Sequence, residues 1–202
     1  MLSQHRDKIK GGVEVAARGF KALGFTPNGL TIFGFILGIL TCLLFAWNRN
    51  AVLFGILMPI WGMLDVVDGT LARLTNQCTK FGSYLDAMCD RLYEAAAMLA
   101  AAYVSGHWAL AFLVMTASFM ISYAKARAAM EVTVSNTEWP DLIERFERSV
   151  IFIGGVILWG IFPGQYFGHD LFYWTLIILS CLLGLGLIQR FRRAKRIIQS
   201  RS

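Results

Sequence analysis

Four aspartates lie close together in this very apolar chain of 202 residues. Asp65 and Asp68 are three residues apart, so both lie on one face of a helix. Asp86 and Asp90 are four residues apart and share a face of a second helix. A carboxylate among apolar side chains costs several kcal/mol unless it is paired, hydrated or bound to a metal. We therefore expect these side chains to share a chemical task.

The segment between the two pairs contains the residues needed to reverse the chain. It reads TLARLTNQCTKFG, and we expect a turn near residues 76–79. Gly69 follows the first pair and Gly82 precedes the second, so another group can approach the backbone closely at both positions. Two antiparallel helix ends then direct four carboxylates toward one point.

Converging carboxylates repel one another unless cations lie among them. Hard divalent cations prefer oxygen ligands, and Mg²⁺ typically combines a few carboxylates with the phosphates of a substrate. Two such ions about 4 Å apart form a clamp suited to phosphoryl transfer. The pattern thus predicts Mg²⁺ or Mn²⁺, with two ions, at the aspartates.

The sequence leaves two other interpretations open. Arg73 and Arg91 can neutralise two of the acids, although two others then remain in excess. Acidic residues within a membrane also mark cation pathways through transporters. The later apolar runs, however, carry no ionisable residue at mid-depth, which disfavours a transporter.

Apolar runs dominate the rest of the chain, which is 56% hydrophobic and 16% charged. Soluble domains carry about 25% charged residues, and a membrane span needs roughly 20 apolar residues. We expect an all-α integral membrane protein whose residues 27–202 form one six-helix domain. Its predicted transmembrane helices lie near residues 28–48, 51–73, 82–104, 107–128, 147–162 and 171–190.

Residues 1–26 are not apolar enough to span a membrane. Their apolar side chains form one loose face with basic residues around it, which is typical of an amphipathic helix lying in the membrane interface. The residue before Pro27 disfavours helical geometry and ends this helix.

The distribution of Lys and Arg predicts the orientation. Basic residues are frequent in the N-terminal segment, near the aspartates, before the fifth predicted span and in the C-terminal tail. Both termini and the aspartates therefore face the cytoplasm. The net charge of +6 suits anionic lipids and anionic substrates better than nucleic acid.

The aspartate pattern resembles the signature of the CDP-alcohol phosphotransferase family. Eight fixed residues fall within 26 positions: Asp65-x-x-Asp68-Gly69-x-x-Ala72-Arg73, eight residues, then Gly82-x-x-x-Asp86-x-x-x-Asp90. Members of that family transfer a substituted phosphoryl group from a CDP-linked alcohol to an acceptor hydroxyl and release CMP.

The resemblance implies roles for individual residues. Asp65, Asp68 and Asp86 hold the metals, and Asp90 is the general base and a further metal ligand. The pocket for the CDP-lipid, either CDP-archaeol or CDP-diacylglycerol, is formed by Asn28, Gly29, Leu30, Thr31, Asp68, Gly69, Arg73, Thr79 and Gly82. For Asn28 and Thr31, simple capping of the helix start is the other interpretation. The family also implies a homodimer.

Three further cations indicate the acceptor. Lys125, Arg148 and Arg190 lie at one membrane level and require an anion, which a phosphorylated acceptor supplies. Ordinary flanking cations with snorkelling side chains are the other interpretation. The surrounding segments YAKARA, ERFER and QR resemble the branch that makes phosphatidylinositol phosphate and archaetidylinositol phosphate, which implies inositol 1-phosphate as acceptor. Glycerol 3-phosphate stays open, because it also carries a phosphate.

Overall fold

A computed structural model gives the fold for residues 2–132 and 145–201, with side chains described for residues 11–132 and 145–200. Within these ranges the protein consists of α-helices, and its only β-structure is an isolated bridge between Tyr166 and His169. The all-α prediction is confirmed. The helices are α1 Leu2–Ala22, α2 Pro27–Asn48, α3 Ala51–Leu74, α4 Lys80–Ser105, α5 Trp108–Glu131, α6 Arg145–Ile161 and α7 Leu171–Arg201.

The helix bounds agree with the apolar runs except at the end of α7. This helix has 31 residues and continues to Arg201, whereas the predicted span ends at residue 190. The basic tail contains no Gly or Pro, so nothing in it stops the helix. At 1.5 Å per residue, α7 is about 46 Å long and exceeds the hydrocarbon core of about 30 Å.

Four helices, α2, α3, α5 and α7, are long and apolar enough to cross a membrane. The two other predicted spans, α4 and α6, are not in this group, for separate reasons. Helix α4 carries charged residues from Lys80 to Glu94, and α6 has 17 residues as described. The acidic connection at 133–144 lies outside the described residues.

The chain divides into two compact units. The first comprises Met1–Arg49 and Ile56–Ala97, and the second comprises Asn50–Gly55 and Met98–Ser202. Helix α1 belongs to the same unit as α2, so part of its surface packs against the other helices of that unit.

An apolar cluster attaches α1 to the ends of α2 and α3. Ala17, Leu30, Val67 and Leu71 are buried in it, and Phe20 packs against it. Helix α1 then ends in a Schellman motif, where left-handed Gly24 (φ 82°) allows Phe25 N–H to reach Phe20 O at 3.0 Å. The rings of Phe20 and Phe25 complete this end with an edge-on contact. The second half of α1 is thereby fixed to the helix that carries Asp65 and Asp68.

The apolar face predicted for α1 is only partly used by this cluster. The predicted face consists of Ile9, Val13, Val15, Ala16, Phe20 and Leu23. Of these, Val15 and Leu23 are 71% and 74% exposed. The interfacial location of α1 stays a prediction, and these two exposed side chains are available to lipid.

Close approach at glycine and polar contacts hold α2 against α3 and α4. A Cβ at Gly38 would lie 2.7 Å from the ring of Tyr93, so only glycine fits there. The indole N–H of Trp61 donates to the Thr41 hydroxyl at 2.7 Å. These contacts fix the three helices that carry the candidate site.

In the second unit, α7 packs against both α5 and α6. The side chain of Thr175 occupies the space where Gly155 would carry a Cβ. Phe172 stacks on Trp159 at 5.3 Å between ring centroids. At the start of α7, Asp170 binds His107 at 2.9 Å and also accepts the Tyr173 N–H at 2.8 Å.

The adjacent glycines of α6 provide a test of this packing. We expect Gly155→Ala to lower the melting temperature in detergent, because its methyl group must displace Thr175. Overpacking costs about 1–3 kcal/mol, which corresponds to about 3–10 °C for a chain of this size. Gly154→Ala is the matched control, since a Cβ there meets nothing within 4 Å. Equal melting temperatures for both variants would contradict the described packing.

Candidate metal centre and active site

The reversal between α3 and α4 brings the two aspartate pairs together. Asn76 adopts the left-handed conformation (φ 55°), and the Gln77 N–H reaches Ala72 O at 2.9 Å. This is a Schellman end for α3, and Asn tolerates its geometry better than most residues. Thr79 then caps α4 by accepting the Gly82 N–H at 2.9 Å. The predicted turn is confirmed.

Three of the four aspartates meet at one point. Asp65, Asp68 and Asp86 each offer a carboxylate oxygen, and these atoms all lie within 4.8 Å of one another. Asp68 is 6% exposed, and the other two are half-buried. A Mg–O bond of about 2.1 Å places opposite ligand oxygens about 4.2 Å apart, so small side-chain rotations suffice to bind such an ion. The all-oxygen donor set also suits a hard cation.

Asp90 lies one helical turn beyond Asp86 on α4 and is half-buried. Residues four apart on a helix are neighbours, so Asp90 is near the cluster. The three-carboxylate group nevertheless forms without it. The sequence predicted four converging carboxylates. In the structure three of them form the group, and Asp90 lies outside it.

A hydroxyl from α2 reaches the cluster. Thr31 donates a hydrogen bond to Oδ2 of Asp68, 37 positions along the chain. Thr31 and Asn28 do not cap α2, because the N-cap is Thr26, whose Oγ1 accepts the Gly29 N–H at 3.1 Å. The capping interpretation of Asn28 and Thr31 is therefore wrong. Pro27 at the first helical position was the sequence signal for the true cap.

The starts of α2 and α4 meet around Gly82. A Cβ on Gly82 would lie 3.0 Å from Asn28 Oδ1 and 3.1 Å from Thr79 Oγ1. A larger residue at this position would push these polar groups apart. Leu30 differs from its neighbours, because its side chain is fully buried in the α1 cluster and only its backbone can face a ligand.

The arginines near the aspartates have contacts within their own helices. Arg73 is exposed, lies beside Gly69 and donates to the Thr70 hydroxyl at 3.0 Å. Arg91 forms an ion pair with Glu94 at 2.8 Å. Gly69 therefore leaves the side of α3 open next to a guanidinium group.

The three predicted acceptor cations all lie in the second unit. Arg148 and Arg190 are each 6% exposed, which is unusual for arginine, and Lys125 is half-buried. Arg190 donates to the carbonyl oxygen of Ile121, one turn before Lys125 on α5. The structure thus brings Arg190 to the helix that carries Lys125. Arg148 lies in the first turn of α6, which packs against α7.

Fold and site together define an all-helical membrane protein with a carboxylate cluster at its helix ends. The family model described as CDP-alcohol phosphatidyltransferase matches residues 25–186. The chain belongs to this family, and it is a transferase.

Two named relatives are similar to this protein over most of the chain. An archaetidylinositol phosphate synthase of Pyrococcus horikoshii is 33% identical over 201 residues, 98% of this chain and 99% of that protein. A phosphatidylinositol phosphate synthase of Mycobacteroides abscessus is 34% identical over 164 residues, 78% of this chain and 73% of that protein.

Solved structures share the fold. The Mycobacterium tuberculosis phosphatidylinositol phosphate synthase with CDP-DAG bound has a TM-score of 0.78 and 25% identity, covering 90% of this chain and 92% of that one. The same enzyme in complex with manganese and citrate has a TM-score of 0.80 and 23% identity, covering 90% and 88%.

The carboxylate cluster predicts a measurable metal affinity. We expect Asp86→Asn to weaken Mn²⁺ binding, measured by electron paramagnetic resonance on the purified protein. Loss of an outer-shell partner costs about 10–100-fold in affinity, so loss of a ligand should cost at least about 100-fold. Glu14→Gln is the control, because this α1 carboxylate pairs with Arg18 on the surface. Unchanged affinity in Asp86→Asn would exclude this residue as a ligand.

Proposed function

We propose that this protein transfers a lipid phosphoryl group from a CDP-lipid to the hydroxyl of inositol 1-phosphate and releases CMP. The observation that carries the proposal is the three-carboxylate cluster of Asp65, Asp68 and Asp86. Two named relatives, the synthases of P. horikoshii and M. abscessus, support the acceptor. The product enters phospholipid synthesis.

The cluster residues would hold Mg²⁺ or Mn²⁺, with two ions, and Asp90 contributes a further carboxylate. When bound, the metal neutralises charge on the pyrophosphate and on the departing CMP. The Mn²⁺-containing structural neighbour supports a divalent ion. Without such an ion the buried Asp68 would face its acidic neighbours uncompensated.

Asp90 is proposed as the general base. Its separation from the three-carboxylate group suits a residue that must receive a proton from the acceptor. As the acceptor oxygen bonds to the lipid-bearing phosphorus, the bond from that phosphorus to the CMP oxygen breaks. The hydroxyl proton passes to the Asp90 carboxylate, and the electron pair leaves with CMP.

The nucleotide end of the CDP-lipid is proposed to bind where α2 and α4 begin. Backbone N–H groups at helix starts are available to phosphate oxygens, and two such starts meet at Gly82. The side chains of Asn28 and Thr79 lie beside Gly82 at this point. Arg73, Gly29 and Gly69 are assigned to the same pocket, where Gly69 leaves the side of α3 open beside the Arg73 guanidinium group. Leu30 can contribute only through its backbone, and the role of Thr31 is treated below.

Lys125, Arg148 and Arg190 are proposed to bind the phosphate of the acceptor. Both guanidinium groups are buried in one unit, and a phosphate accepts bidentate hydrogen bonds from arginine. Glycerol 3-phosphate would engage the same cations, so it is the alternative acceptor.

The membrane arrangement is part of the same proposal. The six predicted spans include α4 and α6, the termini and the aspartates face the cytoplasm, and the protein forms a homodimer. The proposed donor is CDP-archaeol or CDP-diacylglycerol, since one relative is an archaetidylinositol phosphate synthase and one structural neighbour contains CDP-DAG.

Removal of the proposed base tests the chemistry. Asp90→Asn should reduce CMP release from CDP-lipid and inositol phosphate by about 100- to 10,000-fold, the usual contribution of a general base. Chelation of divalent ions should abolish the wild-type activity. Cation flux across sealed vesicles without CMP release would instead favour the transporter.

Acceptor recognition can be tested on a single helix. Lys125→Gln should raise the KM for inositol phosphate by about 10–100-fold, because a charge-assisted hydrogen bond contributes about 1.5–3 kcal/mol. Arg127→Gln is the matched control, since Arg127 is an exposed cation of α5 that pairs with Glu131 at 2.5 Å. Glycerol 3-phosphate, inositol and serine complete the acceptor series. An effect of Lys125→Gln on all four acceptors alike would contradict a phosphate-binding role.

A further inference from the structure

We propose that Thr31 is a positioning residue that orients Asp68 for metal binding, an inference that rests on the proposed metal-dependent function. The family resemblance implies that Thr31 lies in the pocket for the CDP-lipid. The structure instead shows its hydroxyl donating to Oδ2 of Asp68. Asp68 is the most buried of the three clustered carboxylates.

The hydrogen bond restricts the one remaining freedom of this carboxylate. Asp68 lies on a helix and is 6% exposed, so its backbone and side-chain direction are already limited by packing. Rotation of the carboxylate plane is still soft, because torsions of this type have broad minima. A donor on one oxygen fixes that plane and therefore fixes where both oxygens can meet a cation.

Thr31 is itself held firmly enough for this task. Its β-branched side chain has few rotamers in a helix, and its Oγ1 lies 3.1 Å from the carbonyl oxygen of Pro27. The hydroxyl has a single hydrogen, and a charged carboxylate is a stronger acceptor than a carbonyl. The hydrogen is therefore directed to Asp68.

The position of α2 along α3 is also fixed by apolar packing one residue earlier in each helix. Leu30 precedes Thr31, Val67 precedes Asp68, and both are buried in the cluster with Ala17 and Leu71. A displacement of α2 against α3 would disturb this cluster and the hydrogen bond together. Thr31 thereby links the start of α2 to a metal ligand.

Metal affinity distinguishes this role from a nucleotide contact. The Kd for Mn²⁺ is measured by electron paramagnetic resonance on the purified full chain in detergent, without CDP-lipid. Thr31→Val keeps the shape of threonine but removes the donor, and we expect a Kd about 10–100-fold higher than that of the wild type. Thr31→Ser restores the hydroxyl and should recover most of the affinity. Thr116→Val, at an exposed position of α5, is the control for the general effect of replacing a threonine by valine.

Kinetics supply a second readout. In Thr31→Val, saturating Mn²⁺ should recover most of the lost kcat, with little change in the KM for CDP-lipid. An unchanged Mn²⁺ affinity with a raised KM for CDP-lipid would overturn the proposal and make Thr31 a nucleotide contact. Thr31→Ala is the second variant without a hydroxyl if the valine variant does not fold.

A parallel measurement on Asp68→Asn separates this inference from the proposed function. If Asp68→Asn loses Mn²⁺ and Thr31→Val binds it normally, only the positioning role fails. If Asp68→Asn binds Mn²⁺ as the wild type does, the metal-dependent function and the positioning role fail together.

Discussion

Mutual repulsion among carboxylates is the constraint on which this structure depends. Asp65, Asp68 and Asp86 are held within reach of one another by helices that are otherwise apolar, and Asp90 adds its charge nearby. Such an arrangement is unfavourable without a cation and becomes favourable with one. The turn after α3, the cap of α4 and the hydroxyl of Thr31 all serve to keep these charges in place.

The candidate residues divide between the two units according to the molecule that they are proposed to bind. The aspartates and the residues proposed for the nucleotide all belong to the unit that contains α1, α2 and the first part of α4. Lys125, Arg148 and Arg190 all belong to the other. Helices α3 and α4 contribute to both units, because the first residues of α3 and the last residues of α4 group with the second unit and their aspartates with the first.

The features that could be predicted from sequence are those with a local signal. The apolar runs predicted the helices, and the spacings of three and four residues predicted which aspartates share a helix face. The segment around Asn76 predicted the turn. The end of α7 was not predicted, because a run of apolar residues ends at the membrane surface, whereas a helix continues until a residue stops it. The cap of α2 was placed at Asn28 or Thr31 as one option, although Thr26 before Pro27 has the better signal.

Contacts between distant residues have no such signal. Thr31 and Asp68 are 37 positions apart, and no periodicity relates a hydroxyl on one helix to a carboxylate on another. The same holds for Arg190 and Ile121, 69 positions apart. These pairings follow from the packing of whole helices, which depends on close approaches such as those at Gly38 and Gly155.

The attachment of α1 has a practical consequence for work with this enzyme. Ala17 shares a buried cluster with Val67, the immediate neighbour of Asp68. An affinity tag or deletion that pulls the first helix away would loosen the backbone beside a metal ligand, far from any residue that reacts. Catalytic rates from differently truncated preparations are comparable only when this helix is intact and packed against α2 and α3.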